Sequence, residues 1–377
     1  MSVKNKLLSF LKTETILVAA FVLAVISCFL VPPDMGYTQY IDTHTLALLF
    51  SLMAVMAGFQ KAGIFDKISS IILSHTGSQK GLSFVLVSLC FFGSMLITND
   101  VALITFVPLG ILVLKTAKME SSLPIVVTLM TIAANLGSML TPIGNPQNLY
   151  LYTLSGLSLW QFLQITAPYT ILCAILLVVG VLGLPTQKGS LRIKMNQPTI
   201  SLNHSILYFI LFVLALFCVA GLLSVWILLA VVVVSVALLD RTVLKKVDYS
   251  LLATFAAFFV FIGNMGRMSA FHDFVQKIVL GNEQITAVVA SQIISNVPAA
   301  LLLSGFTHEW AQLIIGTNLG GLGTLIASMA SLISYKQIAS QYPHQKGRYL
   351  LIFSLWNIGF LAVLLIFSLM VLPIFFH

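Results

Sequence analysis

Two tripeptides and two longer polar stretches hold the side chains able to do chemistry. The tripeptides are Thr98-Asn99-Asp100 and Ser295-Asn296-Val297; the stretches are NLGSMLTPIGNPQN, from Asn135 to Asn148, and NLGGLGTLIASMAS, from Asn318 to Ser331. They offer amides, hydroxyls and one carboxylate among apolar residues, a set that binds rather than cleaves. Neutral oxygens suit a small cation such as sodium, and helix amino ends suit a carboxylate or oxyanion. Pro142 and Pro146 interrupt any helix drawn through the first stretch. An unpaired amide in hydrocarbon costs several kcal/mol, so breaks of this kind persist where they line a site.

On this basis the candidate substrate ligands are Thr98, Asn99, Asn145, Ser295, Asn296, Asn318 and Thr324. The candidate sodium ligands are Asn99, Asp100, Asn135, Thr141, Asn148 and Asn296. Asp100 is the one acid placed deep in an apolar segment, which makes it the candidate for proton coupling. Its plainer role would be to cap the half-helix that follows it. For the Gly- and Asn-containing stretches the plainer reading is close helix packing, and for Lys61 and Arg267 it is snorkelling to an interface. No resident cofactor is expected, only sodium or a proton as coupling ion. The sequence has no HExxH motif and no nucleophile with a paired base, which argues against an enzyme. Cys28, Cys90, Cys173 and Cys218 stand far apart in apolar runs and read as small hydrophobes.

The elements that position these residues follow from composition. Of 377 residues, 59% are hydrophobic and only 8% charged, and the mean hydropathy is +1.04, values far from those of a soluble domain. The fold class expected is an all-α polytopic membrane protein. Full spans are placed at 15–31, 43–60, 123–150, 163–184, 204–220, 222–239, 249–264, 310–333 and 349–373. Residues 82–113 and 283–305 are placed as re-entrant hairpins that turn at the two tripeptides. With the N-terminus inside, only Arg267 and Lys277 of the 19 Lys and Arg fall outside, in keeping with the positive-inside rule. This predicts a multi-pass protein of the cell (inner) membrane with a cytoplasmic N-terminus and an external C-terminus. The net charge of +8 then reports topology, and no nucleic-acid partner is expected.

The polar segments recur in the same order in both halves. MAGFQKAGIFDKI (Met56 to Ile68) matches FIGNMGRMSAFHDFV (Phe261 to Val275), and ITNDVALITF matches ISNVPAALLL. Asn135, Gly137 and Thr141 match Asn318, Gly320 and Thr324 at one offset of 183. The loop charges make the second copy enter the membrane from the opposite side. Two inverted-topology repeats are therefore expected, each with a re-entrant hairpin and a broken transmembrane helix. The chain divides into a first repeat with its N-terminal helix (1–185), a cytoplasmic linker (186–203), and a connecting helix with the second repeat (204–377).

These motifs resemble the ion transporter superfamily, which holds arsenite permeases, citrate transporters and sodium-dicarboxylate symporters. TNDVALITFVPL (Thr98 to Leu109) and GTNLGGLGTLIASMASLI (Gly316 to Ile333) resemble the arsenite permease branch, and TPIGNPQN is similar to an element of the dicarboxylate branch. The latter usually carries Ser-Asn-Thr at its tips, where this chain has Asp100 and Val297 in third place. The resemblance implies secondary active transport of a small anion or oxyanion, a carboxylate or arsenite-like species, coupled to protons or sodium by alternating access. It also implies a homodimer in the lipid bilayer. A sodium/proton antiporter is the alternative.

Overall fold

The computed structural model describes residues 14–74, 76–185 and 200–375, with side chains described as far as residue 370. The basic start, His75, linker residues 186–199 and His377 lie outside the described residues. Among the described residues the secondary structure is helical, and eight helices are long and apolar enough to cross a membrane. The protein is a multi-pass all-α membrane protein.

The first half opens with α1 (Thr15–Leu30), a short turn of helix α2 (Tyr37–Tyr40), and α3 (Thr43–Ala62). The Asp42 carboxylate accepts the Thr45 amide at 3.0 Å to start α3, and Gly63, at φ 75°, ends it in the left-handed region. A short amphipathic helix, α4 (Ile64–Ser74), leads to a hairpin of α5 (Gln79–Ile97) and α6 (Asn99–Thr116). Next comes the broken helix: α7 (Leu123–Gly137), two 3-10 turns, and α8 (Pro146–Ser155). A long helix, α9 (Leu159–Leu182), closes the half behind a Ser158/Gln161 capping box.

The second half begins with α10 (Leu202–Val219), α11 (Val225–Leu239) and the short α12 (Arg241–Leu244). It then repeats the succession: α13 (Tyr249–Gly266), the amphipathic α14 (Ser269–Val279), the hairpin α15 (Glu283–Ile294) with α16 (Asn296–Leu303), the broken pair α17 (Trp310–Leu319) with α18 (Met329–Gln341), and the long α19 (Lys346–Phe375). Every span and hairpin expected from the sequence coincides with a helix or helix pair. α4 and α14 were given no element in that reading. Both carry an exposed apolar stripe, with Ile68, Ile71 and Ile72 on one and Phe274 and Ile278 on the other, which suits a membrane–water boundary.

The halves also pack crosswise. α1 lies on α13, while α10 and α11 lie on α3. Where α3 ends, Lys61 Nζ pairs with Asp240, whose other oxygen accepts from Tyr208 Oη at 3.1 Å. Burial pushes the Asp240 carboxyl up, but the Lys61 ammonium with the Thr242 and Tyr208 hydroxyls outweighs it and holds the group below its ordinary value. Where α13 ends, Arg267 pairs with Asp34 at 2.8 Å and donates to Tyr40 Oη at 3.1 Å. This second pair is about half exposed and contributes less.

Both contacts are sealed by a tyrosine ring on a glycine. A Cβ on Gly58 would stand 2.0 Å from the Tyr208 ring, and one on Gly263 would stand 2.3 Å from that of Tyr40. Gly58→Ala should therefore lower the thermal midpoint of the purified protein, since overpacking costs about 1–3 kcal/mol. Gly359→Ala, where nothing lies within 4 Å, serves as the control and should leave the midpoint level or higher.

Candidate functional site

The first hairpin turns with no loop between its arms. Thr98 alone joins α5 to α6, with φ 70° and ψ 151°, and Ser295 joins α15 to α16 in the same way, with φ 74° and ψ 153°. Glycine enters this region readily and other residues rarely, so the surrounding structure must hold both turns.

Each tip is held against the break of its own half. Thr141 Oγ1 donates to the Met95 carbonyl at 2.5 Å, and Thr324 Oγ1 donates to the Gln292 carbonyl at 3.3 Å. Met95 and Gln292 both stand three residues before the tip. A Cβ on Gly137 would lie 2.7 Å from Ser94 Oγ, and one on Gly320 would lie 2.5 Å from Ser291 Oγ. Ser94 and Ser291 again occupy the same place in their hairpins. At these contacts the absence of a side chain is what lets the broken helix approach the hairpin.

The broken helices then exchange partners. Asn135, at the end of α7, accepts from Ser328 Oγ at 3.1 Å and donates to Ser331 Oγ at 3.3 Å, both at the start of α18. Asn318, at the end of α17, accepts from Asn145 Nδ2 at 3.0 Å and donates to Asn148 Oδ1 at 2.6 Å, both at the start of α8. Asn145 to Ser328 and Asn148 to Ser331 are steps of 183, the offset that relates Asn135 to Asn318. The two sets of bonds are therefore equivalent. They join into one network, because Asn99 Nδ2 donates to Asn135 Oδ1 at 3.2 Å, Ser138 Oγ donates to the Asn135 carbonyl at 2.8 Å, and Asn145 Nδ2 donates to Ser138 Oγ at 3.1 Å. Asn99, Asn135, Ser138, Asn145, Asn148 and Asn318 are all buried.

The carbonyls released by the breaks are taken up by side-chain amides. Asn148 Nδ2 lies 3.2–3.4 Å from the Ser138, Met139 and Thr141 carbonyls. In the second half, Gln292 Nε2 donates to the Gly320 and Leu322 carbonyls, both at 2.9 Å, and Gln292 Oε1 accepts the Thr324 amide at 2.9 Å.

The sequence-derived residues thus fall into four groups. Asn99, Asn135, Asn145, Asn148 and Asn318 share the network. Thr98, Thr141, Ser295 and Asn296 hold the tips; the Asn296 amide donates to the Ala327 carbonyl at 2.9 Å. Thr324 is exposed and bonded to Gln292, apart from the asparagines. Asp100 opens α6 and borders a cavity of 380 Å³, lined also by Glu14, Asp248, Thr254, Val297, Pro298 and Lys336. Ser328, Ser331 and Gln292 were missed as ligands, although the offset from Asn145 and Asn148 points to both serines. Gln147, in the first turn of α8, is buried with its Oε1 unpartnered. Among the described residues no group of His, Cys, Asp or Glu could hold a metal ion.

Residues 7–312 match the citrate transporter family. The chain belongs to that family. It is a transporter of the citrate transporter and arsenite permease type. It is similar to an uncharacterized transporter of Methanocaldococcus jannaschii, 34% identical over 87% of this chain and 90% of the relative. It is also similar to an inner membrane protein of Escherichia coli, 32% identical over 78% of this chain and 80% of the relative. A silicon efflux transporter of Oryza sativa subsp. japonica is 32% identical over 33% of this chain and 25% of that protein. The family match contains the whole first broken helix and both hairpins, so it covers most of the site's supports.

Asn318 is the strongest test of the network in this family member. Asn318→Ala leaves the buried Asn145 and Asn148 amides each short of a partner, at about 1–3 kcal/mol per unsatisfied group. The thermal midpoint should fall by several degrees. Asn318→Asp should be worse, because a carboxylate cannot donate to Asn148 Oδ1. Thermal unfolding in detergent checks both.

Proposed function

We propose that the chain is a secondary active transporter that carries a small anion or oxyanion, a carboxylate or an arsenite-like species, by alternating access. Protons or sodium drive it. The observation that supports this is the meeting of three helix amino ends, those of α6, α8 and α18, at one buried network of neutral donors, with that of α16 bonded beside it through the Asn296 amide and the Ala327 carbonyl. Amide dipoles and hydroxyls there would meet negative charge without a basic side chain in the network. Thr98, Asn99, Asn145, Ser295, Asn296, Asn318 and Thr324 are assigned to the substrate, and Asn99, Asp100, Asn135, Thr141, Asn148 and Asn296 to sodium. Asp100 is assigned to the proton. A relative named for silicon efflux supports a small oxyacid among the cargoes.

The equivalent bonds at a constant offset are those that two copies related by a two-fold axis would make, which supports reading the halves as inverted repeats. Loop charge supports a cytoplasmic N-terminus in the inner membrane. The division at 185 and 203, and the homodimer, belong to the same reading.

Proteoliposomes under an imposed pH or sodium gradient should accumulate or release citrate, arsenite or silicic acid. Asn99→Ala and Asn145→Ala should reduce flux at least tenfold, a loss of about 1.4 kcal/mol or more, while still inserting in the membrane. Absence of flux with every cargo under both gradients would overturn the proposal. Sodium/proton antiport is a second reading, favoured by the acids Glu14 and Asp248 that share the Asp100 cavity. It requires proton release from vesicles on sodium addition with no anion present, abolished by Asp100→Asn.

A further inference from the structure

The two breaks are built on one plan but are not filled alike. Position 95, three residues before the first tip, is Met, while the matching position before the second tip is Gln292. Both residues offer their backbone carbonyl to the threonine of their own break. Only Gln292 also sends a side-chain amide into the break. Its Nε2 meets the Gly320 and Leu322 carbonyls at 2.9 Å each and the Val288 carbonyl at 3.3 Å. Three carbonyl oxygens from two elements thus converge on one nitrogen. Oxygens that converge in this way are what a sodium ion seeks at an unwound helix, and an amide NH₂ shares its two partly positive hydrogens among them instead.

The other end of the amide confirms the fit. Gln292 Oε1 takes the Thr324 amide, and it lies so close to Gly323, which has φ +102°, that a Cβ there would stand 2.4 Å from it. Residue 323 therefore favours glycine both for its backbone conformation and for room. In the first half the Asn148 contacts to break carbonyls are longer, at 3.2–3.4 Å, and come from within the broken helix itself.

We propose that Gln292 stands in place of a cation at the second break, so that this break itself binds no sodium and the coupling ion is left to the ligands gathered at the first. This deepens, and rests on, the reading of the broken helices as the transport site. The second hairpin is thereby tied to its break by a group that neither dissociates nor depends on ion concentration.

The test replaces Gln292 with the residue that the first hairpin carries, Gln292→Met, and with a cationic donor, Gln292→Lys. Thermal unfolding and radioactive sodium binding are measured in detergent, in sodium chloride against choline chloride. Gln292→Met should bind one sodium per chain more than the wild type and gain a saturable, sodium-specific rise in midpoint of a few degrees. Gln292→Lys should match the wild type, because its ammonium occupies the same carbonyls. If Gln292→Met folds only in sodium, that result also supports the proposal. Equal sodium binding by Gln292→Met and wild type would overturn it, as would a Gln292→Met protein that fails to fold in sodium and choline alike. Because binding is read without transport, a chain that gains the ion but moves no cargo would count against the transport reading alone.

Discussion

Backbone that leaves the helix inside a membrane must find its hydrogen bonds within the protein, and the rest of this structure depends on how that demand is met. Two helices are broken, and side chains of its own half meet the stranded carbonyls of each break. In the first, Asn148 reaches back to the carbonyls of Ser138, Met139 and Thr141. In the second, Gln292 reaches across from the hairpin to Gly320 and Leu322. With these groups satisfied, Asn135 and Asn318 are free to bond the opposite broken helix, and that exchange joins the halves. A buried centre made of neutral groups is a consequence: amides and hydroxyls satisfy stranded peptides at far lower desolvation cost than charges would.

The surrounding helices form a frame for this centre. α1 and α2 on α13, and α10 and α11 on α3, are cross-half contacts; Tyr40 of α2 seals one on Gly263, Tyr208 of α10 seals the other on Gly58, and an ion pair lies beyond each. The frame's ion pairs stand at the ends of α3 and α13, next to the amphipathic α4 and α14. Each amphipathic helix in turn connects the frame to a hairpin.

Much of this was legible in the sequence, because membrane spans announce themselves by composition and breaks by Asn, Gly and Pro. The spans, the hairpins and the offset of 183 all came from those signals; the exchange of partners was not foreseen, although the same offset relates Asn145 to Ser328 and Asn148 to Ser331. The amphipathic helices were overlooked because IFDKISSIILS and SAFHDFVQKIV are too short and too mixed to pass for spans. Their 3.6-residue apolar spacing was the available signal. Thr324 was grouped with the asparagines by position in the repeat, but a hydroxyl five residues beyond a helix end can face either way. Here it turns toward the hairpin. Gln292 escaped notice because the repeat pairs it with an apolar residue, Met95.

The unequal prolines follow from the same accounting. Pro142 and Pro146 delete two backbone donors from the first break, so its remaining needs are mostly for donors to carbonyls, which Asn148 provides from its own helix. The second break has Leu325 and Met329 at the matching positions, which keep their amides. A break with more donors needs acceptors as well, and Gln292 supplies one to Thr324 while the Ala327 carbonyl takes the amide of Asn296. The second hairpin is therefore bound to its break through both side chain and backbone, whereas the first is bound through the Thr141 hydroxyl and the Asn99 amide. Separating the first hairpin breaks fewer hydrogen bonds. The cavity beside Asp100 borders both tips, and the first presents a carboxylate to it where the second presents the apolar Val297.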